Sequence, residues 1–567
     1  MENKDNRILT GAQILMEILK SEGVDTIFGF PGGAVIDIYD ELSKTDIRHI
    51  LVRHEQGAVH AADGYSRASG RVGVCLVTSG PGATNTVTGI ASAYMDSIPV
   101  VILTGQVPTH LIGNDAFQEV DIVGITRSCT KHNYLVTKAE DLAGTLKEAF
   151  YLARSGRPGP VLVDIPKDIA KTGVQFTMPE ESNLKSYRPT YNPNTKQLQK
   201  IITLIEESEK PVIFAGGGVI LSKGSKELTE FARKAKIPVT ASLMGLGAFP
   251  GSDPLWLGMI GMHGTFRANM SVGNCDLLIA IGVRFDDRVT GKTDSFAPNA
   301  KIVHIDIDPT SIRKNIPVSV PVVGDCRIAL DQLNQMIGEA NLGNIIKKRQ
   351  KWFNQISRWK TTNPLSYKQK EAIMPQYVIE NLFNITKGKA IITTEVGQNQ
   401  MWAAQYYHFD KPGHFITSGG LGCMGFGLPA AIGAQVACPG ELVVDIAGDG
   451  SIQMNIQELA TAVQYSLPVK VVILNNRYLG MVRQWQELFY DKRYSCTGMD
   501  HSPDFVKLAE AYGAVGLRAT KPEEVVPVLR KGLNSDKTVI MDFQVEREEN
   551  VYPMVPAGAP LTEMLLV

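Results

Sequence analysis

Residues 442–451 read LVVDIAGDGS, and residues 469–476 read VKVVILNN. The β-branched runs predict two buried strands of a parallel sheet, at 442–447 and 469–474. A helix over 452–465 is predicted between them, as expected for an α/β fold. Gly448 and Gly450 allow a sharp turn and leave backbone amides free where that helix begins. Such a helix start suits a bound phosphate group.

Polar oxygens follow both predicted strands. Asp449 supplies a carboxylate and Asn476 a neutral amide oxygen, at the carboxyl ends of strands, where open α/β sheets bind ligands. Mg²⁺ takes few protein oxygens and fills its other positions with phosphate and water. A lone Gly-Asp-Gly is more often an ordinary turn, but the asparagine pair favours a magnesium diphosphate site. The pattern resembles the signature of thiamine diphosphate (ThDP), in which the aspartate and the second asparagine hold the metal.

The composition sets the class of protein. The 567 residues are 44% hydrophobic and 20% charged, with a net charge of −1. This length predicts about three domains. A charge near zero argues against nucleic acid or anionic membrane as a partner. Seven scattered cysteines without a C-x-x-C motif predict reduced thiols, and the polar start predicts no signal peptide, so we expect a cytoplasmic protein without membrane spans.

Apolar strands alternate with helical patterns along the whole chain. We predict three consecutive α/β domains with mainly parallel sheets, at 1–178, 195–340 and 374–550, and a C-terminal tail at 551–567. A polar linker, 179–194, and a basic helix, 345–360, separate them. The predicted strands lie at 26–30, 49–52, 73–78, 100–104 and 161–165 in the first domain, and at 212–215, 277–281 and 301–305 in the second.

A glutamate, Glu55, opens a predicted helix over 55–68 directly after a strand. By itself it indicates only a carboxylate favoured by the helix dipole. ThDP chemistry needs a carboxylate bonded to N1′ of the aminopyrimidine, so that the 4′-imine can remove the C2 proton. The loops 31–33, 79–82 and 116–119 also follow strands, and the glycines in the first two allow backbone to approach a ligand closely.

Seven motifs make a family resemblance specific. They are FGFPGG (28–33), RHEQGA (53–58), TSGPGATN (78–85), DAFQEVD (115–121), RFDDRVTG (284–291), GGLGCMGFGLP (419–429) and GMVRQWQ (480–486). Their order, from about residue 10 to 556, resembles that of the FAD-containing, biosynthetic acetohydroxyacid synthase (acetolactate synthase) catalytic subunits. The resemblance implies the ThDP fold, with pyrimidine, central Rossmann-like and diphosphate domains.

The resemblance also implies the reaction. ThDP and Mg²⁺ would decarboxylate pyruvate, and the hydroxyethyl carbanion would be added to a second 2-oxoacid. Pyruvate gives 2-acetolactate and 2-oxobutyrate gives 2-aceto-2-hydroxybutyrate, the first common step of branched-chain amino acid biosynthesis. The implied assembly is a homodimer or homotetramer in which Glu55 of one subunit serves the ThDP held by the other, with a possible regulatory small subunit.

The resemblance assigns cofactor contacts residue by residue. The metal ligands are Asp449, Asn476 and the backbone carbonyl of Tyr478. Met424 would hold ThDP in its bent shape, although an isolated methionine is more often a core residue. Asn399 stands where many relatives carry histidine. The implied ThDP contacts are Pro31, Glu55, Gly82, Val396, Gly397, Gln398, Gly422, Met424, Gly448, Gly450, Ser451 and Met481.

A glycine-rich turn, AGGGV at 215–219, lies between a strand and a helix. Alone it is a weak indication of a dinucleotide loop. His263 could also be a structural histidine. We expect a structural flavin, because the implied reaction has no net electron transfer. The FAD contacts implied by the resemblance are Arg157, Gly216, Gly217, Gly218, Ser242, Leu243, Gly261, Met262, His263, Gly282, Arg284, Asp286, Asp306, Ile307 and Asp325.

An acceptor site for a 2-oxoacid needs a cation and an apolar wall. Arg288 suits the carboxylate, since guanidinium binds it as a bidentate fork, although a salt bridge to Asp286 or Asp287 is the ordinary alternative. Trp485 suits the alkyl group, although core or interface packing is usual for tryptophan; one methylene is worth about 1–3 kcal/mol in such a pocket. The resemblance gives both residues acceptor roles and adds Gly33, Phe117, Gln118, Lys167, Met481 and Val482.

Three other functions share parts of this pattern. A flavin-dependent pyruvate oxidase would use ThDP and FAD, but the Arg288 and Trp485 motifs argue against it. The motif at 284–288 disfavours an FAD-free fermentative acetolactate synthase. A catalytically idle homologue would have no need to keep Glu55, Asp449 and Asn476. A simple decarboxylase usually carries adjacent acid-base histidines, and the sequence has no adjacent histidine pair.

Overall fold

The computed structural model describes residues 7–180, 184–337 and 342–566. In this part of the chain, 18 of 20 strands form three six-stranded sheets, and all strand pairings in those sheets are parallel. The remaining two strands pair antiparallel. The predicted α/β class with mainly parallel sheets is therefore confirmed.

The first sheet has the order β3-β2-β4-β5-β7-β6, while β1 pairs with β8. Its strands are β1 (Arg7–Thr10), β2 (Thr26–Phe30), β3 (Arg48–Leu51), β4 (Gly73–Val77), β5 (Val100–Gln106), β6 (His132–Leu135), β7 (Val161–Pro166) and β8 (Gly173–Phe176). The helices are α1 (Gly11–Ser21), α2 (Ile36–Leu42), α3 (Glu55–Ser69), α4 (Pro81–Thr84), α5 (Val87–Asp96), α6 (Ile122–Thr126), α7 (Leu142–Arg154) and α8 (Lys167–Lys171).

The second sheet has the order β11-β10-β9-β12-β13-β14. Its strands are β9 (Pro211–Ala215), β10 (Val239–Ala241), β11 (Trp256–Met259), β12 (Leu277–Ile281), β13 (Lys301–Asp306) and β14 (Val320–Val323). The helices are α9 (Thr195–Glu207), α10 (Gly217–Leu221), α11 (Ser225–Ala235), α12 (Phe266–Asn274), α13 (Asp287–Thr290), α14 (Cys326–Ile337) and α15 (Leu342–Thr362).

The third sheet has the order β16-β15-β17-β18-β20-β19. Its strands are β15 (Ile391–Thr394), β16 (Phe415–Ile416), β17 (Val443–Gly448), β18 (Lys470–Asn475), β19 (Val515–Ala519) and β20 (Val539–Gln544). The helices are α16 (Pro375–Thr386), α17 (Gln398–Tyr406), α18 (Gly427–Ala437), α19 (Asp449–Ile452), α20 (Leu459–Gln464), α21 (Gly480–Phe489), α22 (Phe505–Ala511) and α23 (Pro522–Leu533).

The first and third segments meet through two helices, α3 and α18. A Cβ on Gly64 would lie 2.7 Å from Cα of Ala430, and one on Gly433 would lie 2.7 Å from the carbonyl carbon of Ala61. Glycine at both positions therefore lets the two backbones approach closely. This contact fixes the start of α3, and with it Glu55, against the third segment.

The predicted helix over 452–465 is wrong in its course. Helix begins earlier, at Asp449, stops after Ile452, and resumes as a 3-10 turn at Ile456–Glu458 that continues into α20. The amide of Asn455, in the break, donates to the Gly425 carbonyl over 2.7 Å. A distant loop therefore takes the polar group that would otherwise face solvent on a continuous helix.

The chain after residue 550 runs back over the other segments as an irregular arm. The Val555 N–H donates to the Met262 carbonyl over 2.8 Å, and the Ala559 carbonyl accepts from Lys292 N–H over 3.1 Å. All seven cysteines are free thiols, and four of them are buried. Among the described residues, no helix combines the length and apolar character that crossing a membrane requires.

Candidate active site

Asp449 is the first residue of α19, directly after β17. It is completely buried, and neither carboxylate oxygen has a hydrogen-bond partner among the described residues. Burial raises the pKa of Asp449 to about 7, against smaller lowering effects of the Asn476 N–H and the Ser502 hydroxyl, which lie near the carboxylate but outside hydrogen-bond geometry. Burying an unpaired carboxylate costs free energy, and a cation beside it would remove that cost. This environment fits Asp449 to a cation.

Asn476 follows β18, the neighbour of β17 in the sheet. Its amide oxygen accepts from the Tyr478 backbone N–H over 3.0 Å and keeps a second lone pair. Its amide nitrogen donates to Oε1 of Gln398 over 3.1 Å. No group of three or more His, Cys, Asp or Glu in the described ranges is arranged to hold a metal. One carboxylate with neutral oxygens suits Mg²⁺, which keeps phosphate and water as its other ligands.

Asn399 lies in the first turn of α17 and is buried between the carboxyl ends of β15 and β17. Its amide nitrogen donates to the backbone carbonyls of Glu395 and Ile446, over 3.0 and 2.8 Å. Its oxygen faces the glycines: a Cβ on Gly397 or Gly448 would lie 2.9 or 3.3 Å from Oδ1. Both N–H groups are thus used within the protein, and Asn399 ties α17 to β17 instead of offering a donor to a phosphate.

A buried glutamate that the sequence patterns did not single out, Glu395, joins two loops of this region. Its carboxylate accepts from Oγ of Ser451 and from the Gly425 N–H, each over 2.7 Å, and from the Leu428 N–H over 3.2 Å. Half-buried Met424 directly precedes Gly425. Glu395 therefore fixes the Met424 loop against the turn that carries Asp449.

Glu55 lies half-buried at the start of α3. Its Oε2 accepts from the Asn85 amide over 2.9 Å, and a Cβ on Gly82 would lie 3.4 Å from its Oε1. A Cβ on Gly80 would in turn lie 2.9 Å from Cβ of Gln118. The structure thus brings Glu55, the 79–82 loop and Gln118 together at the carboxyl edge of the first sheet.

The other candidates of the first segment lie along the same edge. Pro31 follows β2, and a Cβ on Gly33 would meet no atom within 4 Å. Phe117 is 88% exposed. Lys167 is the first residue of α8, after β7, and its side chain makes no hydrogen bond or ion pair to any described residue. These residues leave one side of the site open.

Glu458, which the sequence patterns also did not single out, fixes the backbone directly before Glu55. Its Oε1 accepts from the backbone N–H groups of Arg53 and His54, over 2.9 and 3.0 Å. Burial raises the pKa of Glu458 to about 7. The break after α19 is what allows this residue of the third segment to reach the first.

A cavity of about 640 Å³ opens among the three segments. It continues to Val396, Gly422, Met481 and Trp485. Most of the FAD candidates line this cavity: Arg157, Gly217, Gly218, Ser242, Leu243, Met262, His263, Gly282, Arg284, Asp286, Asp306, Ile307 and Asp325. The other two candidates, Gly216 and Gly261, do not line it.

His263 is buried at the wall of this cavity. Burial lowers the pKa of His263 to about 4, so the ring is neutral at physiological pH. Nδ1 lies 3.3 Å from the Pro553 carbonyl, which can only accept, so the ring proton belongs on Nδ1. Nε2 is buried and has no hydrogen-bond partner among the described residues, so it is a free acceptor.

Arg288 and Trp485, 197 positions apart in the sequence, meet at the edge of the cavity. The Arg288 guanidinium carbon lies 5.6 Å above the ring of Trp485. The predicted alternative for Arg288 is weak: its contact with Asp287 measures 3.9 Å, and the two side chains are 60% and 83% exposed. The guanidinium is therefore available to a ligand, with an indole face beside it.

Three family models match the chain. Residues 9–125 match the N-terminal TPP binding domain of thiamine pyrophosphate (thiamine diphosphate) enzymes, residues 198–333 their central domain, and residues 395–543 their C-terminal TPP binding domain.

Full-length relatives agree with these matches. The chain is 51% identical over 566 residues to the acetolactate synthase isozyme 3 large subunit of Escherichia coli (strain K12), covering 99% of each chain. It is 50% identical over 563 residues to the acetolactate synthase large subunit of Haemophilus influenzae, covering 98% of each. Against that of Cyanidium caldarium it is 46% identical over 572 residues, covering 99% of this chain and 97% of the relative. The chain therefore belongs to the acetolactate synthase large subunits, within the family of thiamine pyrophosphate enzymes.

Proposed function

We propose that this chain is the catalytic subunit of a cytoplasmic acetolactate synthase that works with ThDP, Mg²⁺ and FAD. It decarboxylates pyruvate and joins the remaining two carbons to pyruvate or 2-oxobutyrate. The observation that carries the proposal is the Arg288 guanidinium lying 5.6 Å above the Trp485 ring. A cation and an apolar face side by side, at the edge of a cavity that reaches Val396 and Gly422, suit a second 2-oxoacid.

When bound, ThDP supplies a thiazolium carbon that adds to a ketone carbonyl and accepts the electron pair released as CO2 leaves. The Glu55 carboxylate holds and returns a proton at N1′ of the pyrimidine. The Asn85 amide orients this carboxylate through its bond to Oε2, and Gly82 leaves the space beside Oε1 open. Met424, whose loop Glu395 fixes, would hold ThDP in its bent shape.

The Gly448–Ser451 turn suits the binding of a diphosphate together with Mg²⁺. Asp449 provides the anionic oxygen, and Asn476 with the Tyr478 carbonyl provides neutral ones. The turn begins a helix, so its free backbone amides would hold the phosphates. The unpartnered carboxylate oxygens of Asp449 support this assignment, because they have no other function in the described structure.

The large cavity supports FAD binding. It lies beside the glycine turn at the start of α10, and four arginines line it, of which Arg157 and Arg284 would suit a diphosphate. Because carboligation transfers no net electrons, the flavin has a structural role.

An assembly with active sites between subunits is also proposed. Glu55 and Asp449 belong to different segments, and several apolar side chains of the first and third segments are exposed, including Ile36, Leu421, Met454 and Val482. A second copy of the chain that covers these side chains would remove apolar surface from water and close the site. The name "large subunit", which the relatives carry, supports a regulatory small subunit as a further partner.

The test is identification of the product. The purified chain, supplied with pyruvate, ThDP, Mg²⁺ and FAD, should form 2-acetolactate and CO2, and with added 2-oxobutyrate also 2-aceto-2-hydroxybutyrate. Formation of acetaldehyde alone would indicate a decarboxylase. Acetate or acetyl phosphate with consumption of an oxidant would indicate a pyruvate oxidase.

The flavin should be bound but inert. We expect a yellow protein whose absorbance near about 450 nm, a general property of oxidised flavins, persists during anaerobic turnover of pyruvate. Dithionite provides the control, since it should bleach the same band. Stoichiometric bleaching by pyruvate would identify an oxidase.

Trp485→Leu should change the choice of acceptor. Removing the indole deletes contact with the extra methyl of 2-oxobutyrate, so the share of 2-aceto-2-hydroxybutyrate from mixed substrates should fall, by at most about 1–3 kcal/mol of discrimination. Phe489→Leu is the matched control, because Phe489 lies 6.1 Å from Trp485 but outside the cavity lining. Arg288→Ala should impair both acceptors, which share the carboxylate. A product ratio that Trp485→Leu leaves unchanged would assign the tryptophan to packing.

A further inference from the structure

A chain of buried amide side chains connects the C-terminal tail with Asn476. The Asn476 amide nitrogen donates to Gln398 Oε1 over 3.1 Å, and Gln398 Nε2 donates to Gln484 Oε1 over 2.9 Å. Gln484 Oε1 also accepts from the Val551 N–H over 2.8 Å, while its Nε2 donates to the Val551 carbonyl over 3.1 Å. The three side chains are at most 5% exposed.

Three backbone positions fix the direction of the bonds in this chain: Val551 at Gln484, the Glu549 carbonyl at Gln398, and the Tyr478 N–H at Asn476. The oxygen and nitrogen of an amide side chain have nearly the same shape, so only their partners decide which way the group faces. The Val551 N–H can only donate and its carbonyl can only accept, which fixes Gln484. The Gln484 oxygen and the Glu549 carbonyl, 3.0 Å from Gln398 Nε2, both require nitrogen from Gln398, and the remaining Gln398 oxygen requires nitrogen from Asn476. The Asn476 oxygen then accepts from the Tyr478 N–H and keeps its second lone pair for a cation.

We propose that Gln484 is a positioning residue for the metal site, which acts with the Glu549 carbonyl to hold Gln398, and through Gln398 also Asn476, in the observed orientation. The inference rests on the proposed metal site. It gives the arm at 551–566 a function in cofactor binding, since docking of Val551 on α21 fixes Gln484 and so supports the orientation of the Asn476 oxygen. An Asn476 amide in the reverse orientation would present N–H groups, which repel Mg²⁺.

A glycine leaves the space that this chain of bonds occupies. Gly480 opens α21, and a Cβ there would overlap Oε1 of Gln398 and lie 2.7 Å from the Asn476 amide nitrogen. The requirement for glycine at 480 is thus explained by the bond between Asn476 and Gln398. The neighbouring Arg483 donates to the Glu549 carbonyl over 3.2 Å, so α21 holds the start of the tail at two successive residues.

Gln405 offers a matched control. It is a second buried glutamine that holds the tail, donating to the Tyr552 carbonyl over 3.2 Å and to the His263 carbonyl over 2.9 Å. None of its bonds reaches Gln398, Gln484 or Asn476. Gln405→Leu therefore loosens the tail next to Val551 while it leaves the amide chain intact.

The experiment is a calorimetric titration of Mg²⁺ at saturating ThDP. Gln484→Leu should weaken Mg²⁺ binding about 10- to 100-fold, the usual cost of losing an outer partner of a metal ligand. Gln405→Leu should bind Mg²⁺ like the parent. Excess Mg²⁺ should restore turnover of Gln484→Leu, which general damage to the fold would not allow.

Two further variants test the bonds of the amide chain and the metal site separately. Gly480→Ala disturbs the same bonds from the helix start and should also weaken Mg²⁺ binding, which covers the case that Gln484→Leu does not fold. Asp449→Ala reports on the metal site itself. Unchanged Mg²⁺ binding in Gln484→Leu with impaired binding in Asp449→Ala would overturn the positioning role alone. Equal losses in Gln484→Leu and Gln405→Leu would overturn it in favour of simple tail docking. Unchanged binding in Asp449→Ala would overturn the metal site and the positioning role with it.

Discussion

Glu55→Gln should leave a folded protein that binds ThDP but hardly exchanges its C2 proton. An amide can still accept from Asn85, whose nitrogen lies 2.9 Å from Oε2 of Glu55, so the local structure should persist. An amide cannot take up and return the proton at N1′ of the pyrimidine. Loss of positioned proton transfer costs about 10²–10⁴-fold in rate, and acetolactate formation should fall by the same factor.

The measurement is hydrogen–deuterium exchange at C2 of bound ThDP, stopped with acid and followed by NMR. Glu458→Gln is the matched control: it is the same change at a buried glutamate that contacts Arg53 and His54, the two residues before Glu55. The control should keep exchange within about 10-fold of the parent, well short of the loss for a proton carrier. Parental exchange rates in Glu55→Gln would show that another group carries the proton.

The strands were predictable because their signal is local. All ten predicted strands lie within two residues of the observed ones, since buried β-branched runs such as 277–281 carry the pattern by themselves. The helix over 452–465 failed for the opposite reason. Asn455 and Glu458 use their polar groups on Gly425 and on Arg53, residues distant in the sequence. Such partners override a helical pattern and leave no local trace.

The parts of the site that lie in recognisable motifs could be predicted from the sequence. The family resemblance is confirmed by full-length relatives, and the structure brings Arg288 beside Trp485 although no spacing rule links them. The residues that hold the motif side chains in place were not found. Glu395 lies outside the quoted motifs, and Gln484, although it lies within GMVRQWQ, carries no sign of its role there; the importance of both arises from burial and from bonds to residues distant in the sequence.

Asp449→Ala should weaken binding of Mg²⁺ and ThDP together. The variant removes the carboxylate that is the only anionic protein ligand proposed for the metal. The metal in turn would hold the diphosphate at the turn. Loss of an outer partner alone costs about 10- to 100-fold in metal affinity, so loss of this ligand should cost at least about 100-fold. Isothermal titration of each ligand in the presence of the other measures both losses. Unchanged ThDP affinity in Mg²⁺ buffer would exclude the Gly448–Ser451 turn as the diphosphate site.

The same variant should change thermal stability in opposite directions with and without ligands. Without them, Asp449→Ala should melt higher than the parent, because it removes a buried carboxylate that has no hydrogen-bond partner in the described structure. With Mg²⁺ and ThDP the parent should melt higher, since a ligand at 100 times its Kd stabilises the folded state by about 2.7 kcal/mol.

Asp164→Ala is the matched control for this reversal. Asp164 is equally buried, and burial raises its pKa to about 7 as well, but its oxygens accept from Thr104 over 2.7 Å and from Gln106 over 2.9 Å. Its removal leaves those donors unpaired, so it should lower the melting temperature in both states and leave Mg²⁺ affinity unchanged. A lower melting temperature for ligand-free Asp449→Ala would mean that this carboxylate already has a partner in the free protein. The reversal of sign therefore separates a carboxylate kept for a cation from one kept for the fold.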